Sequence, residues 1–155
     1  KLLVYRSNVP HGTRISQWWW HPFSIAMVKS RFTSLDVRAM VNSIRPLAVG
    51  CKLTNIYDIS SRVYLLKLNR RGFRCFLLLE SGTRFHLTEY TRDKSPIPSN
   101  YTMKLRKHIR MRRLTGIEQL GCDRVVKLTF GRGEHAFHLI LELYVSGNLV
   151  LTDHE

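Results

Sequence analysis

Long apolar runs are missing from this chain. No stretch approaches the ~20 residues a helix needs to cross a bilayer, so nothing in it reads as a membrane helix. Acid is scarce, with 11 Asp and Glu against 25 Lys and Arg in 155 residues, a net charge of +14. Such a surplus points to nucleic acid, the ribosome or an anionic surface. Cysteine is also rare: Cys51, Cys75 and Cys122 are odd in number and far apart, which excludes a disulfide framework and a zinc motif. Reduced thiols fit a cytosolic or nuclear setting, and Cys75 and Cys122 read as small core residues in strand-like runs. There is no phosphate loop and no dinucleotide fingerprint. Ser81 lacks the flanking glycine of a nucleophile elbow. His135 and His138, three apart, make poor metal spacing. The expectation is therefore no enzyme, no metal and no cofactor. Hydrophobic content is 44%, enough for a packed core in one domain.

Residues 1–26 contain no acid at all and hold a Trp18-Trp19-Trp20 cluster between breakers at Pro10 and Pro22. Arg14, Gln17 and His21 interrupt any leader-like apolar core. We expect an extension outside the domain there, with a natural start at Met27 and the domain proper over 27–155. Thr33-Ser34-Leu35-Asp36 carries a cap residue with an acid three later, a capping-box variant. The helix it opens is expected to stop at Arg45-Pro46.

Strand-like runs follow at 51–59, 63–68, 74–80 and 84–88, separated by short polar or Gly-containing turns. A second set occupies 116–120, 124–130, 136–144 and 148–152. Between them lies the most distinctive stretch, a helix expected over 99–114. It carries Lys104, Arg106, Lys107, His108, Arg110, Arg112 and Arg113 and no acid. Tyr101, Leu105 and Ile109 share one face, so burying that face should turn most cations outward, towards a polyphosphate. The competing reading is a solvated amphipathic helix, but such helices usually mix signs. The expected fold is α+β: two antiparallel meanders packed as a sandwich, with two helices at its edges or ends and no residue-level repeat between the halves.

Asp123-Arg124 stands where a turn meets a strand. In extended backbone the two side chains point to opposite faces, so one can anchor while the Arg meets phosphate or a base edge. A structural ion pair is the plainer reading of the dipeptide.

Several strings together resemble one family. Met27 followed by Lys29-Ser30-Arg31-Phe32-Thr33-Ser34-Leu35-Asp36, then Asn55-Ile56-Tyr57-Asp58, Leu78-Leu79-Glu80-Ser81-Gly82, Arg84-Phe85-His86-Leu87-Thr88-Glu89, Leu105-Arg106-Lys107-His108, Asp123-Arg124 and Gly147-Asn148-Leu149-Val150-Leu151-Thr152-Asp153 resemble the NFACT-N domain of ribosome quality control factors, nearest its eukaryotic branch. The resemblance runs from Met27 to Glu155. It implies a cytoplasmic protein, with the nucleus as a second compartment, acting on the large ribosomal subunit that bears peptidyl-tRNA. There it would bind aminoacyl-tRNA, support C-terminal tailing of the stalled chain and, through the full-length protein, help recruit a listerin-type E3 ubiquitin ligase. It places the family's functional acid on Asp36 and its Asp-Arg pair on Asp123 and Arg124. It also implies a fold similar to the N-terminal domain of formamidopyrimidine DNA glycosylases. The nucleophilic proline of those enzymes has no counterpart beside Met27, Val28 and Lys29, so their activity does not carry over. Two further readings remain: a basic helix gripping an acidic protein partner, and a nucleic-acid enzyme.

Overall fold

The computed structural model describes residues 30–90, 93 and 95–153; the expected extension over 1–26 and the start at Met27 lie outside them. Thr33 caps the first helix, α1 (Ser34–Ala48), through the reciprocal capping box with Asp36. The helix does not stop at Arg45-Pro46 but runs on to Ala48. Pro46 falls in the last turn, where it removes a single backbone donor, and Ala48 is fully buried beyond it.

Four antiparallel strands, β1 (Lys52–Ser60), β2 (Val63–Arg70), β3 (Phe73–Glu80) and β4 (Arg84–Thr88), form one sheet in chain order. The second helix, α2, spans only Asn100–Ile109. A second sheet follows, again in chain order, of β5 (Leu114–Gln119), β6 (Val125–Phe130), β7 (Phe137–Glu142) and β8 (Asn148–Thr152). The chain thus folds as α+β with two four-stranded meanders, as its alternating apolar positions require. One core cluster draws on both sheets and both helices, from Leu53, Leu66 and Leu77 to Leu128, Phe130 and Leu139, with Val41 and Leu105 from the helices. A smaller cluster of Leu65, Phe76 and Leu78 lies on the other face of β2 and β3, which is why those strands read as almost unbroken apolar runs.

The two halves repeat each other at the level of single residues, which the sequence reading did not anticipate. Positions 61 apart correspond. The buried α1 residues Val41, Ile44 and Ala48 match the buried α2 residues Thr102, Leu105 and Ile109. Gly50 and Met111 both have positive φ, 88° and 69°. Leu53-Thr54-Asn55-Ile56 matches Leu114-Thr115-Gly116-Ile117, and each Thr sits at a register shift with its hydroxyl on the facing strand's carbonyl, Lys67 and Thr129. Contacts between the halves are reciprocal. Gly50 N–H donates to Leu114 and Met111 N–H to Leu53, while Leu53 N–H donates to Arg112 and Leu114 N–H to Cys51. The chain is therefore a pseudo-twofold pair of helix-plus-meander units. Its axis passes between the segments that lead into β1 and β5, where Lys52 and Arg113 form an antiparallel bridge.

Candidate nucleic-acid interface

Asp36 is placed by the capping box. Its Oδ2 accepts from both the backbone N–H and the hydroxyl of Thr33 at 2.7 Å. That accounts for Asp36 as a helix-start residue, and it fixes the acid in the first turn of α1.

The first turn of α1 lies against the β5–β6 turn. The Gln119 side-chain amide donates to the carbonyl of Ser34 at 3.0 Å and to that of Asp123 at 2.7 Å. Nearby, Arg38 reaches Cys122 Sγ at 3.5 Å. Cys122 is exposed in this turn rather than buried as expected, because it precedes the strand; Cys51 and Cys75 are the buried thiols. Burial pushes the Cys75 thiol up to about 11, which keeps it unreactive.

Asp123 and Arg124 do not diverge to opposite faces. Asp123 Oδ1 accepts from the Arg124 N–H at 2.7 Å, a turn geometry that departs from an extended strand. Both side chains then meet Tyr144. The Tyr144 hydroxyl donates to the Asp123 carboxylate, which with the Arg124 N–H holds that carboxyl below the usual range and pushes the phenol up. The Arg124 guanidinium lies 5.0 Å over the Tyr144 ring. Tyr144 was not singled out by sequence reasoning; its distance of twenty residues from Arg124 left no local signal. Its backbone is held by Leu143 N–H on the Arg124 carbonyl, 2.9 Å, and by the packing of two tight turns, Ser81-Gly82 against Gly147.

The basic stretch divides. Lys104, Lys107 and Arg110 are exposed, while Arg106 and His108 are half-buried. Arg106 turns back onto the sheet, giving two hydrogen bonds to the Ile56 carbonyl, 2.9 and 2.6 Å, with Tyr57 beneath its guanidinium at 5.8 Å. Arg110 bonds the Thr54 carbonyl at 3.2 Å. β1 is an edge strand whose register shift at Thr54 leaves carbonyls unpaired by strands, and these cations satisfy them. His108 packs at a tilt against Phe137, ring centres 5.3 Å apart. Arg112 and Arg113 lie outside the helix, which ends at Ile109 because the chain must reverse through Met111 to pair with Leu53. Arg112 bonds the carbonyls of His108 and His135, at 2.7 and 2.6 Å, over the Phe137 ring. Arg113 donates to the Gly50 carbonyl at 3.0 Å.

At the start of α2, Asp58 is buried and accepts from Ser99 N–H at 2.8 Å. Burial alone would raise its carboxyl, but the Ser99 hydrogen bonds and the Arg106 charge outweigh that and hold it low. The structure thus ties the backbone of the first turn of α1, at Ser34, to the β5–β6 turn, at Asp123. It sets the α2 cations apart, since α2 ends beside the start of β5 and the turn follows β5's far end, about 17 Å away at ~3.4 Å per residue. Among the described residues no group of three or more His, Cys, Asp or Glu side chains is placed to hold a metal, and no helix is long and apolar enough to cross a membrane.

The architecture defines a two-sheet α+β module with an acid–arginine turn at one end and a cationic edge along β1. The chain belongs to the NFACT family: the model for its N-terminal and middle domains matches residues 33–155. It is 46% identical over 128 residues to the human ribosome quality control complex subunit NEMF, covering 83% of this chain and 12% of that protein. Its identity to ribosome quality control complex subunit 2 of Schizosaccharomyces pombe is 42% over 132 residues, covering 81% of this chain and 13% of that protein. The chain therefore spans about an eighth of the length of these relatives. Among solved structures it is similar to the N-terminal domain of the fibronectin-binding protein PavA from Streptococcus pneumoniae, with TM-score 0.73 and 25% identity over 79% of this chain and 52% of that one.

Proposed function

We propose that this chain is the N-terminal RNA-binding module of a cytosolic ribosome quality control factor. On the large ribosomal subunit bearing peptidyl-tRNA it engages aminoacyl-tRNA through Asp36, Asp123 and Arg124. In the longer protein it supports C-terminal tailing of the stalled chain and helps recruit a listerin-type E3 ubiquitin ligase. The observation that supports this reading is the tie made by Gln119 between the Ser34 carbonyl, in the first turn of α1, and the Asp123 carbonyl of the Asp-Arg turn, on a chain of net charge +14. Relatives that carry ribosome quality control names support it further. Exposed Lys104, Lys107 and Arg110 supply sequence-independent attraction to phosphate. The two-sheet architecture serves here as a scaffold for RNA without bond-breaking chemistry.

The test compares Asp123→Ala and Arg124→Ala in the full-length protein by melting temperature, co-sedimentation with large subunits and tail formation. We expect folded proteins that still sediment with the subunit and fail to tail. Normal tailing by both variants would overturn the assignment. Displacement of the wild-type chain by an acidic protein, at salt concentrations where tRNA does not compete, would favour the protein-partner reading.

A further inference from the structure

The pseudo-twofold repeat gives the molecule a matched pair of clefts, and they have diverged. One, of about 450 Å³, lies between the Thr54 bulge and the β2–β3 turn, lined by Lys52, Thr54, Asn69, Arg70, Arg71, Gly72 and Arg113. Its counterpart, of about 720 Å³, lies between the Thr115 bulge and the β6–β7 turn and includes Thr115, Gly131, Arg132 and Gly133. These occupy the positions 61 beyond Thr54, Arg70, Arg71 and Gly72. The second cleft mixes signs, since Glu134, Asp153 and His138 also line it. The first holds four cations and no acid among its lining residues. The repeated scaffold therefore does not require an all-cationic lining, and gathering like charges costs stability through self-repulsion.

Two of the four cations are held in place rather than loose. The Arg113 guanidinium is pinned on the Gly50 carbonyl at 3.0 Å, and Arg70 lies 5.6 Å over the Phe73 ring. Among the described residues none of the four makes an ion pair. Arg113, just before β5, is bridged to Lys52 of β1, which pairs with Asn69 of β2, so the three lie side by side over a width of about 10 Å at ~4.8 Å per pairing. That width lets the four charges meet more than one phosphate of a single backbone at once. Arg110, bonded to Thr54 at the cleft wall, carries the same charge on towards exposed Lys107 and Lys104.

We propose that this cleft is a phosphodiester-backbone site, the anchor of a track that runs along the β1 edge and up α2 and holds RNA without reading its bases. The proposal rests on the RNA-binding reading and adds a second contact surface to it, away from the Asp123-Arg124 turn. The charges gathered along this open groove would meet phosphate whatever base it carries, which positions the RNA without specifying its sequence.

The experiment titrates the 155-residue chain against unfractionated tRNA and a 20-base-pair RNA duplex over a range of salt. Three variants are compared with wild type: Arg70→Gln/Arg71→Gln, the pseudo-equivalent Arg132→Gln, and Lys104→Gln/Lys107→Gln. The cleft double variant should keep its melting temperature, because both side chains are exposed at a turn. It should lower the slope of log K against log salt by roughly 0.7–0.9 for each lost contact, while Arg132→Gln leaves the slope as it is. An unchanged slope in the cleft variant, with loss in the α2 variant, overturns the cleft and leaves the RNA-binding reading standing. Absence of binding to either RNA by the wild-type chain overturns both. Competition by poly-glutamate as effective as that by RNA shows charge recognition without phosphodiester preference and also overturns the proposal.

Discussion

Arg106 in α2 donates two guanidinium hydrogen bonds to the carbonyl of Ile56 in β1, at 2.9 and 2.6 Å. Its pseudo-twofold mate repeats the act: Arg45 in α1 donates to the carbonyl of Ile117 in β5 at 2.9 Å. Each helix is thus fastened to the strand that follows the other helix. The most cationic helix of the chain uses one of its arginines as a fastener.

Removing that fastener separates structure from recognition. Arg106→Gln should lower stability by about 1.5–3 kcal/mol, the range for a hydrogen bond to a charged donor, because the Ile56 carbonyl loses its partner. Arg45→Gln should cost less, since Arg45 is more exposed and makes one bond to Ile117. Chemical denaturation of the two variants checks the order. Lys104→Gln/Lys107→Gln, by contrast, should leave the denaturation midpoint in place.

Gly82 and Gly147 sit back to back with φ of 80° and 62°. A Cβ on Gly82 would lie 2.7 Å from the Tyr144 carbonyl oxygen, and one on Gly147 would lie 2.7 Å from that of Ser81. Gly72 has a similar φ of 74° but open space around it. Gly72→Ala should cost only the left-handed backbone strain, roughly 1–2 kcal/mol. Gly147→Ala should cost about 1–3 kcal/mol more, from overpacking. Equal melting temperatures for the two variants would show that the turns do not bear on one another.

Asp58 links the end of β1 to the cap of α2. Asp58→Ala should cost about 1–3 kcal/mol by leaving the Ser99 N–H unsatisfied in a part-buried place. The sign of its pH dependence follows from a carboxyl held below its ordinary value. The stabilisation is present above the unfolded carboxylate pKa of ~3.9 and is lost as pH falls through the folded value. Acid titration of stability should therefore be flatter in Asp58→Ala than in the wild type.

The Asp123–Tyr144 bond gives a two-sided window. Asp123 is held low and Tyr144 is pushed up by the same hydrogen bond. Its contribution is lost on the acid side as pH falls through the folded Asp123 value, and on the alkaline side as pH rises through the folded Tyr144 value. Tyr144→Phe keeps the ring under Arg124 and removes the donor. In that variant the Asp123 carboxyl, followed by NMR, should titrate at higher pH than in the wild type.

The capping box offers a matched pair of variants. Thr33→Ala and Asp36→Ala each remove one arm of it, and Thr33→Ala should cost about 0.5–2 kcal/mol. If Asp36 also serves RNA, tRNA engagement should fall further in Asp36→Ala than in Thr33→Ala at equal stability, measured by binding at a fixed temperature below both melting points.

The types and order of the elements were legible locally. Apolar runs define the strands, alternating in most and almost unbroken in β2 and β3, Thr33 and Asp36 define a helix start, and the charge imbalance and ordered strings point to the family. These signals are local: each lies within a few residues of the backbone it shapes. The repeat of 61 was hidden because few letters are shared across it, among them Leu53 and Leu114, Thr54 and Thr115, Ile56 and Ile117, and Arg45 and Arg106. Val41 and Thr102, Ile44 and Leu105, Ala48 and Ile109 share burial but differ in type, so comparing letters misses what comparing positions shows. Helix periodicity carried the basic helix past Ile109, since Arg112 and Arg113 fit a helical face. What ended the helix was the pairing of Met111 and Arg112 with Leu53, more than fifty residues away. The same long-range register decided which cations are spent on β1 carbonyls, brought Tyr144 under Arg124, and gathered Lys52, Arg70, Arg71 and Arg113 around one cleft. Such convergence depends on which strands pair and where a bulge frees a carbonyl, quantities set by burying two sheets and two helices around one core.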